Sequence, residues 1–254
     1  MTTYQKLLSL GCLTREELLL MANNPKTADS IIYTHKLNGN IKSVKRNLYV
    51  AISKETHSPI ATPFEIASKI TNDSFISHHS AFEYYGLANQ VFSDIYVSTS
   101  RRFYDFEFDG KTFKYVNSKN DFGITTIKNK LRVTDIERTI LDSIKDFTKI
   151  GGLEELLRCL LMITFFDETK MLNYLSIYDN QFLYQKTGYI LSHYKVQMKI
   201  SDSFMENCKS RIHKSVRYFY DEIKFENPVF NSDWQLFVPA DLMKLIDEGG
   251  NEIV

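Results

Sequence analysis

Cysteine is scarce in this 254-residue chain: Cys12, Cys159 and Cys208 are the three present. They are odd in number, far apart and without CxxC spacing. That argues against a disulfide framework and a cysteine-built zinc site, and for a reducing compartment. Long apolar runs are also missing. No stretch of 18 apolar residues could cross a membrane, and the longest candidate, Leu156 to Phe166, is short and interrupted by Arg158. Lys6 near the start is followed by no apolar run, so no secretory leader and a cytoplasmic location are expected. Net charge is absent too, with 31 Lys and Arg balancing 31 Asp and Glu, so the whole chain does not advertise an anionic partner. Walker phosphate loop, G-x-S-x-G and HExxH are missing, as is the Gly-Ser followed by paired Asp of nucleotidyltransferases. No catalytic residues, no metal and no cofactor are therefore expected.

A 43% hydrophobic content allows a real core, and the length fits one large or two modest domains. The balanced charge hides an asymmetry. Up to His57 there are eight cations against four anions, a net of +4, which leaves 23 cations and 27 anions, a net of −4, for the rest. A basic head on an acidic body fits a nucleic-acid-binding module joined to something else, although such an excess is common in short segments.

Within that head, Thr14 and Glu17 have capping-box spacing for a helix with Leu18 to Ala22 as its body. Asn23-Asn24-Pro25 favours a turn. A second helix is predicted from about Lys26 to Asn38, ended by Gly39. Ala28, Ile31, Ile32 and His35 fall on one face of it; Lys26, Ser30, Tyr33 and Thr34 fall on the other. Hydroxyls and a cation on the exposed face suit phosphates and base edges. Ile41 to Val44 and Leu48 to Ile52 read as strands around Lys45-Arg46-Asn47. Helix, turn, helix and a hairpin with a cationic tip is the pattern of a winged helix-turn-helix. Candidate DNA-binding residues are Lys26, Thr27, Ser30, Tyr33, Thr34 and Lys36 on the helix, with Lys42, Lys45 and Arg46 on the hairpin.

Ser58-Pro59 and Thr62-Pro63 read as a linker. The expected domains are 1–57 and 58–254. The second is expected to be a larger mixed α/β domain with a helical last third, so the fold class is α+β. Predicted helices run from Pro63 to Ile70, His78 to Tyr85, Asp135 to Ile144 and Leu153 to Leu161, then Glu168 to Leu175, Gln181 to Tyr194 and Asp202 to Val216. Predicted strands are Asp73 to Ser77, Ile95 to Thr99, Phe103 to Phe108, Thr112 to Val116, Ile124 to Ile127, Leu131 to Val133 and Trp234 to Val238. Asp109-Gly110 is a strong two-residue hairpin turn.

Several segments together resemble the AbiEi family, antitoxins of bacterial AbiE toxin–antitoxin systems. They are the N-terminal module, Ser77 to Leu87 (SHHSAFEYYGL), Val133 to Asp142 (VTDIERTILD), Gly151 to Glu155 (GGLEE), Tyr184 to Leu191 (YQKTGYIL) and Trp234 to Pro239 (WQLFVP). The resemblance implies a winged helix that binds inverted repeats in its own promoter and represses the operon. It also implies a C-terminal domain countering a nucleotidyltransferase-like toxin without forming a stable complex (the type IV arrangement), in abortive phage infection. Inverted repeats need two copies on DNA, so a monomer or weak dimer loading cooperatively is expected. An interaction module that sequesters a toxin directly, and a regulator with no toxin partner, stand as alternatives.

Other residues invite readings. Arg101 and Arg102, with Lys111 and Lys114, form either a second basic patch extending a DNA footprint or a solvated, protected strand edge. Arg138 and Asp142 have the spacing of an intrahelical ion pair, or of a contact point for toxin or its nucleic-acid target. His78-His79 suggests capping and packing more than a metal site, because neighbours on a helix diverge by about 100°. Glu222-Ile223-Lys224, with Asp202 upstream, matches half of a nuclease site, a triplet common by chance.

Overall fold

A computed structural model describes residues 2–128 and 131–248 of the chain and mixes helices with sheets, as the α+β expectation required. The chain separates into two compact units. One holds Met1–Ile76, Phe92–Asn120 and Ile124–Val133; the other holds Ser77–Val91, Asp121–Gly123 and Thr134–Val254. Residues 1–57 thus share a compact unit with the segment that follows them. Residues expected to form a linker are tied to the preceding strand: Ile52 bridges Pro59, Ser53 N–H donates to the Ser58 carbonyl at 3.0 Å, and Ile60 N–H donates to Ala51 at 2.9 Å.

The first unit begins with α1 (Thr3–Leu10), capped by a Thr2–Gln5 capping box. β1 (Cys12–Thr14), too short to be marked by its sequence, leads into α2 (Arg15–Ala22). Thr14 caps α2: its hydroxyl accepts from Glu17 N–H at 3.2 Å, while its own N–H donates to the Glu17 carboxylate at 2.8 Å. Asn23, left-handed at φ 54°, ends α2. The Asn24 side chain then caps α3 (Pro25–Leu37), accepting from Lys26 N–H at 2.8 Å. Pro25 thus opens the second helix instead of lying in the turn, since the first helical position needs no N–H. β2 (Ile41–Lys45) and β3 (Leu48–Ala51) follow, and the sheet order is β1-β3-β2, all antiparallel. Leu7, Leu13, Leu18, Ala28, Ile41, Tyr49 and Ala51 form the core of this region.

After α4 (Pro63–Ala67) come β4 (Phe75–Ile76), β5 (Asp94–Thr99), β6 (Phe106–Phe108), β7 (Lys111–Asn117), β8 (Ile124–Ile127) and β9 (Leu131–Thr134). They make a six-stranded sheet of order β6-β7-β5-β4-β9-β8. β5 runs parallel to β7 and β4 parallel to β9; β4–β5 and β6–β7 are antiparallel. Asp109 (φ 52°) and Gly110 (φ 74°) both take the left-handed conformation that a tight hairpin turn demands.

The second unit is mostly helical: α5 (His78–Tyr85), α6 (Ile136–Lys145), α7 (Leu153–Leu161), α8 (Glu168–Tyr178), α9 (Gln181–His193), α10 (Asp202–Ser210) and α11 (Lys244–Glu248). α10 stops six residues before the expected Val216, at the Arg211 cap. β10 (Arg217–Tyr218), β11 (Val229–Asn231) and β12 (Leu236–Val238) form a small sheet of order β10-β12-β11; the sequence reading found only the last. The core gathers Leu156, Leu160, Ile190, Leu191, Phe204, Phe219 and Trp234. α9 packs so tightly that a Cβ at Gly188 would stand 1.9 Å from the Trp234 ring. Among the described residues no helix is long and apolar enough to cross a membrane.

Candidate nucleic-acid interface

The candidate surface is built on α3. Its apolar face is held down by Ala28, fully buried, with Ile31 and Ile32 partly buried beside it. Helical spacing then turns Lys26, Thr27, Ser30, Tyr33, Thr34 and Lys36 outward, and all six are exposed. None of their side chains is engaged by another described residue, so their donors and acceptors face water. Tyr33 is 71% exposed, unusual for a large ring and usable for stacking or a groove contact. The helix is fixed to its neighbour by a fork: Arg15 Nε and Nη2 each donate to the Asp29 carboxylate at 3.0 Å. His35 contacts the Asn40 side-chain amide at 3.0 Å, and burial lowers its pKa, with Lys54 adding to the shift.

The hairpin beside this helix divides its cations. Lys42 and Arg46 are exposed and outside every ion pair among the described residues. Lys45 is not free in the same way. Its Nζ lies 5.1 Å from the centre of the Phe103 ring and 5.7 Å from that of Phe106, and partial burial lowers its pKa. This placement gives Lys45 a role in fastening the hairpin through cation–π attraction and makes it less available to a phosphate than the fully exposed Lys42 and Arg46.

The suspected second patch is also partly spent. Arg101 and Arg102 are exposed. Lys111, however, donates to the Phe92 carbonyl at 2.6 Å, and Lys114 lies 3.8 Å from Asp105. Both of those lysines contact residues that flank the strands of their own sheet. The loop carrying the arginines is anchored by Asp73, which accepts from Thr99 Oγ1 at 2.7 Å, from Thr71 Oγ1 at 2.9 Å, and from Ser100 N–H at 2.8 Å and its hydroxyl at 2.5 Å. Burial alone would raise the Asp73 pKa, but these bonds outweigh it and hold the carboxyl well below its usual range.

Other sequence candidates resolve into structure. Arg138 Nε donates to Asp142 at 3.3 Å and its guanidinium also bonds the Phe122 carbonyl. With Arg138 only 1% exposed, the pair is an internal one and the contact-point reading is overturned. His78 and His79 are buried at the start of α5. The Ser77 hydroxyl lies 2.8 Å from His78 Nδ1 and supplies no cap, so packing and not capping explains this pair. His79 Nε2 stands 3.4 Å from Glu155, a buried carboxylate that also accepts from Asn89 N–H at 3.0 Å and Gln90 N–H at 3.1 Å. Glu155 thereby organises the loop after α5, a role that no local pattern signals. Glu222-Ile223-Lys224 lies in a 3₁₀ turn with Ile223 fully buried and Lys224 paired to Asp221 at 3.2 Å. Asp202 pairs with Lys195. No cluster of three or more His, Cys, Asp or Glu able to hold a metal occurs among the described residues.

No family model matches this chain, and no curated protein matches it. It is similar in structure to the RV2827C protein from Mycobacterium tuberculosis, with a TM-score of 0.64, 14% identity, and coverage of 99% of this chain and 96% of that one. At this identity the likeness shows the fold alone.

Proposed function

We propose that this protein is a DNA-binding repressor of its own operon and the antitoxin of a toxin–antitoxin pair. The observation that carries the DNA half is the outward face of α3, with Lys26, Thr27, Ser30, Tyr33, Thr34 and Lys36 all exposed on a helix whose other face is fixed in a core. In this reading α2, the Asn23–Asn24 turn and α3 are a helix-turn-helix, α3 enters the major groove, and the β2–β3 hairpin is the wing, touching phosphates through Lys42 and Arg46. The module occupies residues 1–57, within the first unit, and the rest of the chain counters a nucleotidyltransferase-like toxin. The antitoxin half rests on the resemblance of Ser77 to Leu87, Val133 to Asp142 and the later segments to the AbiEi family. Two copies load on inverted repeats, and no stable complex with the toxin forms.

A mobility shift with the DNA upstream of the protein's own gene, at two salt concentrations, tests this. A specific, stepwise shift is expected, with Ser30→Ala plus Tyr33→Ala losing specificity but keeping non-specific binding. Non-specific binding alone in the wild-type protein would refute the repressor reading.

A second reading has its own observation. Leu20 and Leu37, 78% and 74% exposed, stand with Tyr33 on this helix pair, and exposed large apolar side chains favour a protein partner. Here the module sequesters a toxin directly. Co-elution of the two proteins on size exclusion, lost on Leu37→Glu, would favour it over DNA binding.

A further inference from the structure

The second unit contains a cavity of about 510 Å³, within the range of small-molecule sites. Its inner end is Lys186, on α9. Lys186 is 7% exposed, and its ammonium lies 4.1 Å from the ring centre of Phe147, 4.9 Å from that of Phe182 and 5.9 Å from that of Phe219. Its hydrogen bond is a long one, 3.4 Å to the Ile144 carbonyl, and it makes no ion pair among the described residues. Burial lowers its pKa to about 8, with the carboxylates of Asp146 and Asp221 opposing the shift, so the group is still mainly a cation at neutral pH. A buried ammonium with no carboxylate in direct contact is costly, and an anion seated on it would offset that cost.

The walls say what kind of anion. Phenyl rings line the cavity beside the ammonium and offer faces to a flat ring. The rim carries Asp146, Glu154, Asp221 and Glu222. Lys149 pairs with Asp146, Arg158 with Glu154 at 2.9 Å, and Lys224 with Asp221 at 3.2 Å. Three of these four carboxylates thus hold a cation of their own, and Glu222 adds a further negative charge, so little positive charge is left over for a polyphosphate. One buried cation among aromatic walls suits a single negative charge on a planar ring.

We propose that this cavity binds a small aromatic monocarboxylate, its ring between the phenyl walls and its carboxylate on the Lys186 ammonium. The site lies outside the DNA-binding module and its assignment does not depend on that reading.

Isothermal titration of the full chain with 2-naphthoate, and with the neutral 2-naphthamide of the same shape, tests it. Wild-type protein is expected to bind the carboxylate at least tenfold more tightly than the amide. Lys186→Met should abolish that preference, and Lys186→Arg should restore part of it. Equal affinities for the two probes in the wild type, no saturable binding of naphthoate, or an undiminished preference in Lys186→Met would each overturn the proposal. Should Lys186→Met fail to fold, reductive methylation of the wild-type protein decides. Naphthoate is expected to slow labelling of Lys186 severalfold, and labelling at an unchanged rate would overturn the site.

Discussion

Replacing Arg46 with alanine should weaken DNA binding by an amount set by how many hairpin cations are free. Lys26, Lys36, Lys42 and Arg46 are exposed and outside ion pairs among the described residues, whereas Lys45 sits on the Phe103 and Phe106 rings. Each phosphate neutralised contributes about 0.9 to the slope of log K against log salt. Two copies on an inverted repeat, each using those four cations, give a slope of about −7, and Arg46→Ala in both copies should bring it to about −5. Lys45→Met should leave the slope within about 0.5 of the wild type, because its charge is not spent on phosphate. It should instead lower the unfolding free energy of the first unit by about 1 kcal/mol, the scale of a partly desolvated cation–π contact. Fluorescence anisotropy with operator DNA across 50 to about 200 mM salt reads the slope, and urea unfolding reads the stability. A Lys45→Met slope reduced as far as that of Arg46→Ala would refute the division of labour between the two residues.

Three further outcomes follow from the geometry. Gly188→Ala should destabilise the second unit by about 3 kcal/mol, the upper end for overpacking, since its Cβ meets the rigid Trp234 ring at 1.9 Å; a melting temperature within about a degree of the wild type would refute this. His78 is buried and burial outweighs nearby Asp142 to lower its pKa to about 4, so the unfolded chain takes up the proton first. Stability should therefore fall as pH drops from about 6.5 to 4, by up to about 3 kcal/mol, and His78→Asn, which tolerates the φ of 53° at this position, should flatten that dependence in urea titrations. Asp73, whose pKa is depressed, should contribute its stabilisation at neutral pH and lose it as the solution is acidified below the ordinary carboxylate range; Asp73→Ala should cost about 2 kcal/mol at pH 7, and an unchanged denaturation midpoint there would show that its hydrogen bonds are dispensable.

What the sequence disclosed was local. Thr14 with Glu17 and Asp109-Gly110 could be read directly, because a cap and a two-residue turn are decided within four residues. The outward face of α3 was legible from helical period alone. What failed depended on residues distant in sequence. Lys45 read as a free cation because Phe103 and Phe106 lie 58 and 61 positions further on. Arg138 and Asp142 had the spacing of any surface pair, and only packing reveals an internal one. The prolines at 59 and 63 signalled a linker, yet main-chain bonds from residues 53 and 60 continue the structure through it. Lys186 lies in the Tyr184 to Leu191 segment, but a lysine among polar and aromatic neighbours gives no hint of burial until Phe147 and Phe219 close around it.

The junction at Thr14 has one more consequence. Its residue pairs with Leu48 in the sheet, caps α2, and is followed by Arg15, whose N–H donates to Asn47 at 3.0 Å in the hairpin turn and whose side chain grips Asp29 on α3. The hairpin, the capped helix and the exposed helix are therefore joined through two consecutive residues, and none of the three can open without releasing bonds of the others. Amide exchange should find a single opening free energy shared by Thr14, Arg15 and the β3 amides, so that α3 and the hairpin reach any surface as one preassembled body and not as two parts that must each be ordered on arrival.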